Sequence, residues 1–351
     1  GIYRSIDTGA NWTQISNDVA NTGLPCGNGY DLAGDPQNST HLFTSVTSAP
    51  AATDGIYRSI DTGANWTKVS TTMDAVFAAG VDRVEIAVGN QGSGNINAAN
   101  VFVAIVQNGR LAYIYFSADS GTTWTSEALP STPDVEDTGI HPGAQGSLHL
   151  SIVADPSDHD VCYIGGDRQP ANLTNSIGAN NWTGRLFQVD AGADTSRPIT
   201  HCQVVGSGCS GSVWTASNSA PHADSRELMF DVSGHLVEVD DGGVYRHTNP
   251  TGTTGDWVSM NGDLPVNEQH DVTYDTNSDI VFSGNQDVGT GEQSAIGSAI
   301  WNTGHQGDGG DTSVGINDPV AGQSYRYSSA QNLGGLTREV YNASNVSQGF
   351  A

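Results

Sequence analysis

The chain has 351 residues and a formal charge of −26, from 38 acidic and 12 basic side chains. Phosphate contacts need Lys and Arg, so this balance argues against a nucleic-acid backbone or an anionic membrane surface as partner. Charged residues make up only 14%, Gly numbers 44, and Lys68 is the single lysine, so the composition favours strands and turns over amphipathic helices.

The elements begin with "GIYRSIDTGANWT", Gly1 to Thr13, which returns letter for letter as Gly55 to Thr67. A looser copy, "IYFSADSGTTWT", runs from Ile114 to Thr125. Short strands repeating at roughly 40–60 residues predict propeller blades. In one unit, "GYDLAGDP" (Gly29–Pro36), "HLFTSV" (His41–Val46), "GIYRSI" (Gly55–Ile60) and "WTKVS" (Trp66–Ser70) read as four antiparallel strands, with "DTGAN" (Asp61–Asn65) as a tight turn. The same order predicts blades at about 27–70, 74–128, 146–215, 222–262, 265–303 and 308–350, after a half-blade at 1–16. The expected fold is all-β: a single propeller over 1–351, seven-bladed if the half-blade completes a shared closing blade. The chain starts at a third strand, so it is expected to be a piece of something longer.

In the repeated turn, Ser-x-Asp-x-Gly-x-x-Trp, each residue has a structural task. The copies are Ser5, Asp7, Gly9, Trp12; Ser59, Asp61, Gly63, Trp66; and Ser117, Asp119, Gly121, Trp124. Asp accepts bonds from its own turn, Gly tolerates positive φ, and Trp buries a large area over the hairpin. Three equivalent carboxylates on a ring are too far apart to share one reaction.

This pattern resembles the Asp-box, or BNR repeat, of sialidases, the xyloglucan-hydrolase family and sortilin-type propellers. "VEVDDGGVYRHT" (Val237–Thr248), "VFSGNQDVGT" (Val281–Thr290) and "GHQGDGGDTSVGINDP" (Gly304–Pro319) are similar to the consecutive DGG, GxQDxGT and GDGG signatures of bacterial sortilin-like BNR proteins. "PHADSRELMFD" (Pro221–Asp231) resembles the HxDxH-type segment before them, with Arg226 in place of the second His. The resemblance implies a secreted or cell-surface bacterial protein. A sialidase would carry an (F/Y)RIP-like segment near its start; the nearest string here, "SRPIT" (Ser196–Thr200), is internal and differently ordered.

Chemistry is expected in the unrepeated Asp/Gly segments. Asp287 and Asp308 are the candidate catalytic pair, since glycoside hydrolysis needs two carboxyl groups about 5–10 Å apart. Asn285, Gln286, Asp240, Asp241 and Asp311 are candidate ligand contacts. Asp308 and Asp311 are candidate ligands for calcium, which takes hard oxygen donors, and His222 and Asp224 are candidate ligands for a metal that takes a third ligand from elsewhere. Turn capping explains the same Asp residues without any ligand. No CxxC pair exists; Cys202 and Cys209 flank a short loop that a disulfide would close. Sequons stand at Asn11, Asn38, Asn65, Asn172, Asn181, Asn342 and Asn345. Two functions follow: an extracellular module that binds carbohydrate or protein, or a glycoside hydrolase acting on polysaccharide.

Overall fold

The computed structural model describes residues 1–16, 22–47, 52–89, 98–134, 139–170, 179, 182–200, 220–252, 257–262, 267–304, 307–315 and 320–350. Cys202, Cys209, Trp214, Asn172 and Asn181 lie outside the described residues. The chain forms two compact units, Gly1–Met260 and Asn261–Ala351. Among the described residues, no helix is long and apolar enough to cross a membrane.

The fold is an all-β propeller built from four-stranded antiparallel sheets. In the first unit, β1 (Tyr3–Arg4) and β2 (Thr13–Gln14) form a short hairpin. A first sheet holds β3 (Leu32–Asp35), β4 (Asn38–Val46), β5 (Gly55–Ser59) and β6 (Thr67–Lys68). A short helix, α1 (Asp74–Ala78), leads to the second sheet: β7 (Arg83–Gly89), β8 (Asn100–Gln107), β9 (Arg110–Ser117) and β10 (Thr125–Glu127). The third has β11 (Ser151–Ala154), β12 (Val161–Arg168), β13 (Gly184–Asp190) and β14 (Thr195–Pro198). The fourth has β15 (Glu227–Phe230), β16 (Leu236–Asp240), β17 (Gly243–His247) and β18 (Trp257–Ser259). The leading strands β3, β7, β11 and β15 touch in succession, so the sheets radiate from them.

Period-2 alternation explains how the sheets stack. Val101, Val103 and Ile105 of β8 pack with Phe43 and Ile56 of the first sheet. Phe102, Ala104 and Val106 of the same strand pack with Ile164 and Phe187 of the third. A strand with both faces buried reads as a continuous apolar run, and "VFVAIV" is one.

The three repeated turns share one geometry. Ser5, Ser59 and Ser117 Oγ donate to Oδ1 of Asp7, Asp61 and Asp119 at 2.7, 2.8 and 2.8 Å. The same hydroxyls accept the Gly9, Gly63 and Gly121 N–H at 2.9, 2.8 and 2.7 Å. The second carboxylate oxygen accepts from Asn11 Nδ2, Asn65 Nδ2 and Thr123 Oγ1 at 2.6, 2.7 and 2.7 Å. Two successive residues have positive φ, as in a type I′ turn: Thr8 57° and Gly9 89°, Thr62 60° and Gly63 78°, Ser120 56° and Gly121 82°. The residue before each glycine joins it there, which the sequence had assigned to glycine alone.

The second unit carries β19 (Gln269–Asp275), β20 (Ile280–Asn285), β21 (Val288–Gln293) and β22 (Trp301–Thr303) as one antiparallel run. A second run holds β23 (Gly307–Gly315), β24 (Gln323–Ala330), β25 (Thr337–Asn342) and β26 (Ser347–Phe350). A two-residue parallel pairing, Val288–Gly307 and Gly289–Asp308, joins them. Glycine permits this approach: a Cβ at Gly284 would collide with the Gly310 carbonyl oxygen.

Candidate functional site

The second unit brings together Gln286, Asp287 and Asp308. Asp308 Oδ1 accepts from Gln286 Nε2 at 2.7 Å and from the Asp287 N–H at 3.0 Å. This clamps the β20–β21 hairpin, where Asp287 has φ 60°. Asn285 is buried; its Nδ2 donates to the Gly289 carbonyl at 3.1 Å and its Oδ1 accepts from Ser283 Oγ at 3.0 Å. Asp311 is exposed on β23.

A cavity of about 380 Å³ opens in the same unit. Its floor is organised by Arg326 on β24, which is 2% exposed. The guanidinium donates from Nη1 to Glu292 Oε2 at 2.7 Å, from Nε to Asp275 Oδ2 at 3.0 Å, and from Nη2 to Asn345 Oδ1 at 2.7 Å. It stands 3.8 Å from the Tyr341 ring centroid, a cation–π contact. Tyr341 in turn donates its hydroxyl to Glu339 Oε2 at 3.2 Å. Burial, reinforced by Glu292 and Glu339, pushes the Tyr341 phenol well above its ordinary range, so it stays a donor. Phe282, Asn302 and Phe350 are also among the lining residues, with Phe350 78% exposed. Arg326, Glu292 and Tyr341 escaped the sequence reading because they come from three strands with no shared motif.

In the first unit, the predicted residues divide. Asp241 pairs with Arg226 at 2.9 Å, while Asp240 is 7% exposed beside the fully buried Glu238. His222 Nδ1 lies 3.3 Å from the Ala223 carbonyl. Asp224 Oδ1 lies 3.6 Å from His149 Nε2. Burial and then Arg226 push His149 down to about 4, so that ring is neutral. Among the described residues, the one group of three potential metal ligands with close donor atoms is Asp158, His159 and Asp160, within 4.8 Å of one another.

A second carboxyl cluster, unmarked by any motif, sits on the leading strands. Glu85 of β7 pairs with Arg83 Nε at 2.7 Å. Burial first, then the charge of Asp31, pushes Glu85 up to about 7 against the pull of Arg83. Burial and Asp31 also raise Glu227 of β15. Asp31 is fixed by the Ile86 N–H, which donates to its Oδ2 at 2.7 Å. A lone Glu inside the apolar run "RVEIAV" was the available signal.

No protein-family model matches the chain, and no curated protein matches it in sequence. Among solved structures it is similar to a GH74 xyloglucanase from Xanthomonas campestris, at 14% identity and a TM-score of 0.55, covering 100% of this chain and 48% of that one. It is also similar to a GH74 enzyme from Niastella koreensis, at 14% identity and a TM-score of 0.46, covering 99% of this chain and 54% of that one. The chain thus spans about half the length of both.

Proposed function

We propose that this protein is an extracellular propeller module that binds carbohydrate, and that the cavity of the second unit is its binding site. The carrying observation is the lining of that cavity. Carboxylates of Glu292 and Glu339, together with Asn302, offer acceptors and donors to sugar hydroxyls, and Phe282 and Phe350 offer apolar faces to the ring C–H groups. Buried Arg326 holds Glu292 and Tyr341 in place before any ligand arrives, which lowers the ordering cost of binding. Screening soluble polysaccharides, xyloglucan among them, by glycan array and calorimetry tests this. Phe350→Ala and Asn302→Ala are expected to weaken binding at least tenfold with the melting temperature unchanged. No binding to any glycan, or equal binding by both variants, overturns the assignment.

A second reading, hydrolysis of a polysaccharide, is favoured by Glu85. A general acid needs a carboxyl that holds its proton above the usual range, and Glu85, raised by burial and then by the charge of Asp31, has that character. The xyloglucanase among the structural neighbours suggests β-glucans as the substrates to try. Release of reducing ends that vanishes in Glu85→Gln supports hydrolysis; no release by the unmodified chain removes it.

A further inference from the structure

In the fourth sheet of the first unit, strand alternation sends Leu236, Glu238 and Asp240 of β16 to one face. That face packs into an apolar cluster in which Leu236 meets Val161, Leu186 and Leu228. Glu238 stands opposite Leu228 in the ladder and is 0% exposed. Neither of its carboxylate oxygens has a hydrogen-bond partner, and neither does Asp240 Oδ2. Asp240 Oδ1 accepts the Gly242 N–H at 2.8 Å. Three buried carboxylate oxygens thus lie at an apolar interface with no well-formed hydrogen bond, the Ser225 hydroxyl and the neighbouring carboxyl group being the polar groups nearby. Burying such groups unpaired is among the largest penalties a fold can carry. The neighbouring cation, Arg226, is bonded to Asp241.

We propose that Glu238 and Asp240 together bind a hard divalent cation of the calcium type. Hard cations take several oxygen ligands, and carboxylates lead among them. Ser225 adds a neutral oxygen beside Glu238, and its hydroxyl lies 2.6 Å from Ser151 Oγ. Burial, followed for Glu238 by the charge of Asp240, raises both carboxyl groups, Asp240 to about 7. The competing occupant is therefore a proton shared between the two. The cation relieves the same repulsion and leaves both carboxylates ionised.

The experiment uses the full chain, stripped with EDTA and titrated with calcium chloride. Calorimetry is expected to show uptake at this site, and the melting temperature to rise by several degrees. Glu238→Gln and Asp240→Asn remove a buried charge at constant shape, and each is expected to abolish both effects. Asp158→Asn with Asp160→Asn, which dismantles the surface cluster, is expected to leave them unchanged. Terbium gives a local readout: Tyr245 feels the charge of both acids, so its excitation is expected to sensitise terbium emission that calcium quenches and Glu238→Gln abolishes. Absence of calcium uptake by the unmodified chain overturns the proposal in favour of the shared proton. A calcium shift that survives in both Glu238→Gln and Asp240→Asn overturns it as well.

Discussion

Gly1–Thr13 and Gly55–Thr67 are the same thirteen residues in two settings, and the chain thereby performs a controlled experiment on itself. Their turn bonds agree within about 0.1 Å, from Ser to Asp, from Gly to Ser and from Asn to Asp. Their tryptophans do not agree at all. Trp66 is 5% exposed, packed against Ile15 and Leu24, while Trp12 is 62% exposed. Hydrogen bonds that close within a few residues follow the local sequence; burial follows whatever another segment places on top. Trp124 makes the point a third way, donating its indole N–H to the Val69 carbonyl at 2.7 Å, which lies beyond the preceding copy.

The widest separation between the copies should come from the tryptophans. Trp66→Ala is expected to cost about 3–5 kcal/mol, and Trp12→Ala below about 0.5 kcal/mol, read from urea unfolding. Equal costs would end the claim that context alone separates them. The acids follow the same division. Glu85, set by distant neighbours, keeps its proton in the folded state up to about 7 against an ordinary 4.5. The folded form then binds more protons than the unfolded one across that window, so stability should fall as pH rises from about 4.5 to 7, by up to about 3 kcal/mol. Melting curves against pH check this, and Glu85→Gln should flatten them. A smaller effect is expected at the serines: Ser5→Ala and Ser59→Ala should each cost about 1 kcal/mol, nearly equal despite their surroundings. The smallest concerns Asp7 and Asp61, held at about 2 first by the Asn11 and Asn65 side chains. Their contribution is present above an ordinary 3.8 and should disappear as pH falls through about 2, alike in both copies by NMR titration.

This division also explains what was legible beforehand. The bonds that the motif Ser, Asp and Gly make with one another and with the Asn that follows close within four residues, so a reading of the string could assign Ser, Asp and Gly their tasks. Even there, the positive φ of Thr8 and Thr62 was hidden, because Thr rarely adopts it. Strands such as "VFVAIV" announced themselves through apolar runs. The candidate sites were less accessible. Asp308 was singled out, yet its bond to Gln286 crosses between strands that no local pattern pairs. Glu85 acquires its character first from burial and then from Asp31, far away in the chain. Arg326 was an unremarked residue in "YRYSS" until its partners Asp275, Glu292 and Asn345 converged on it. Convergence of distant residues, more than residue type, makes a site, and a linear string does not display it.

The glycine contact between Gly284 and Gly310 has a further consequence. Where two main chains touch directly, side-chain identity conveys nothing about which partner to choose. Alignment there is a matter of phase, set by how many peptide units precede the contact on each strand. Chain length becomes the carrier of information. Inserting a single residue between Asp287 and Val288 would displace the parallel pairing of Val288 and Gly289 without altering any chemical group. At this place in the molecule, spelling matters less than counting.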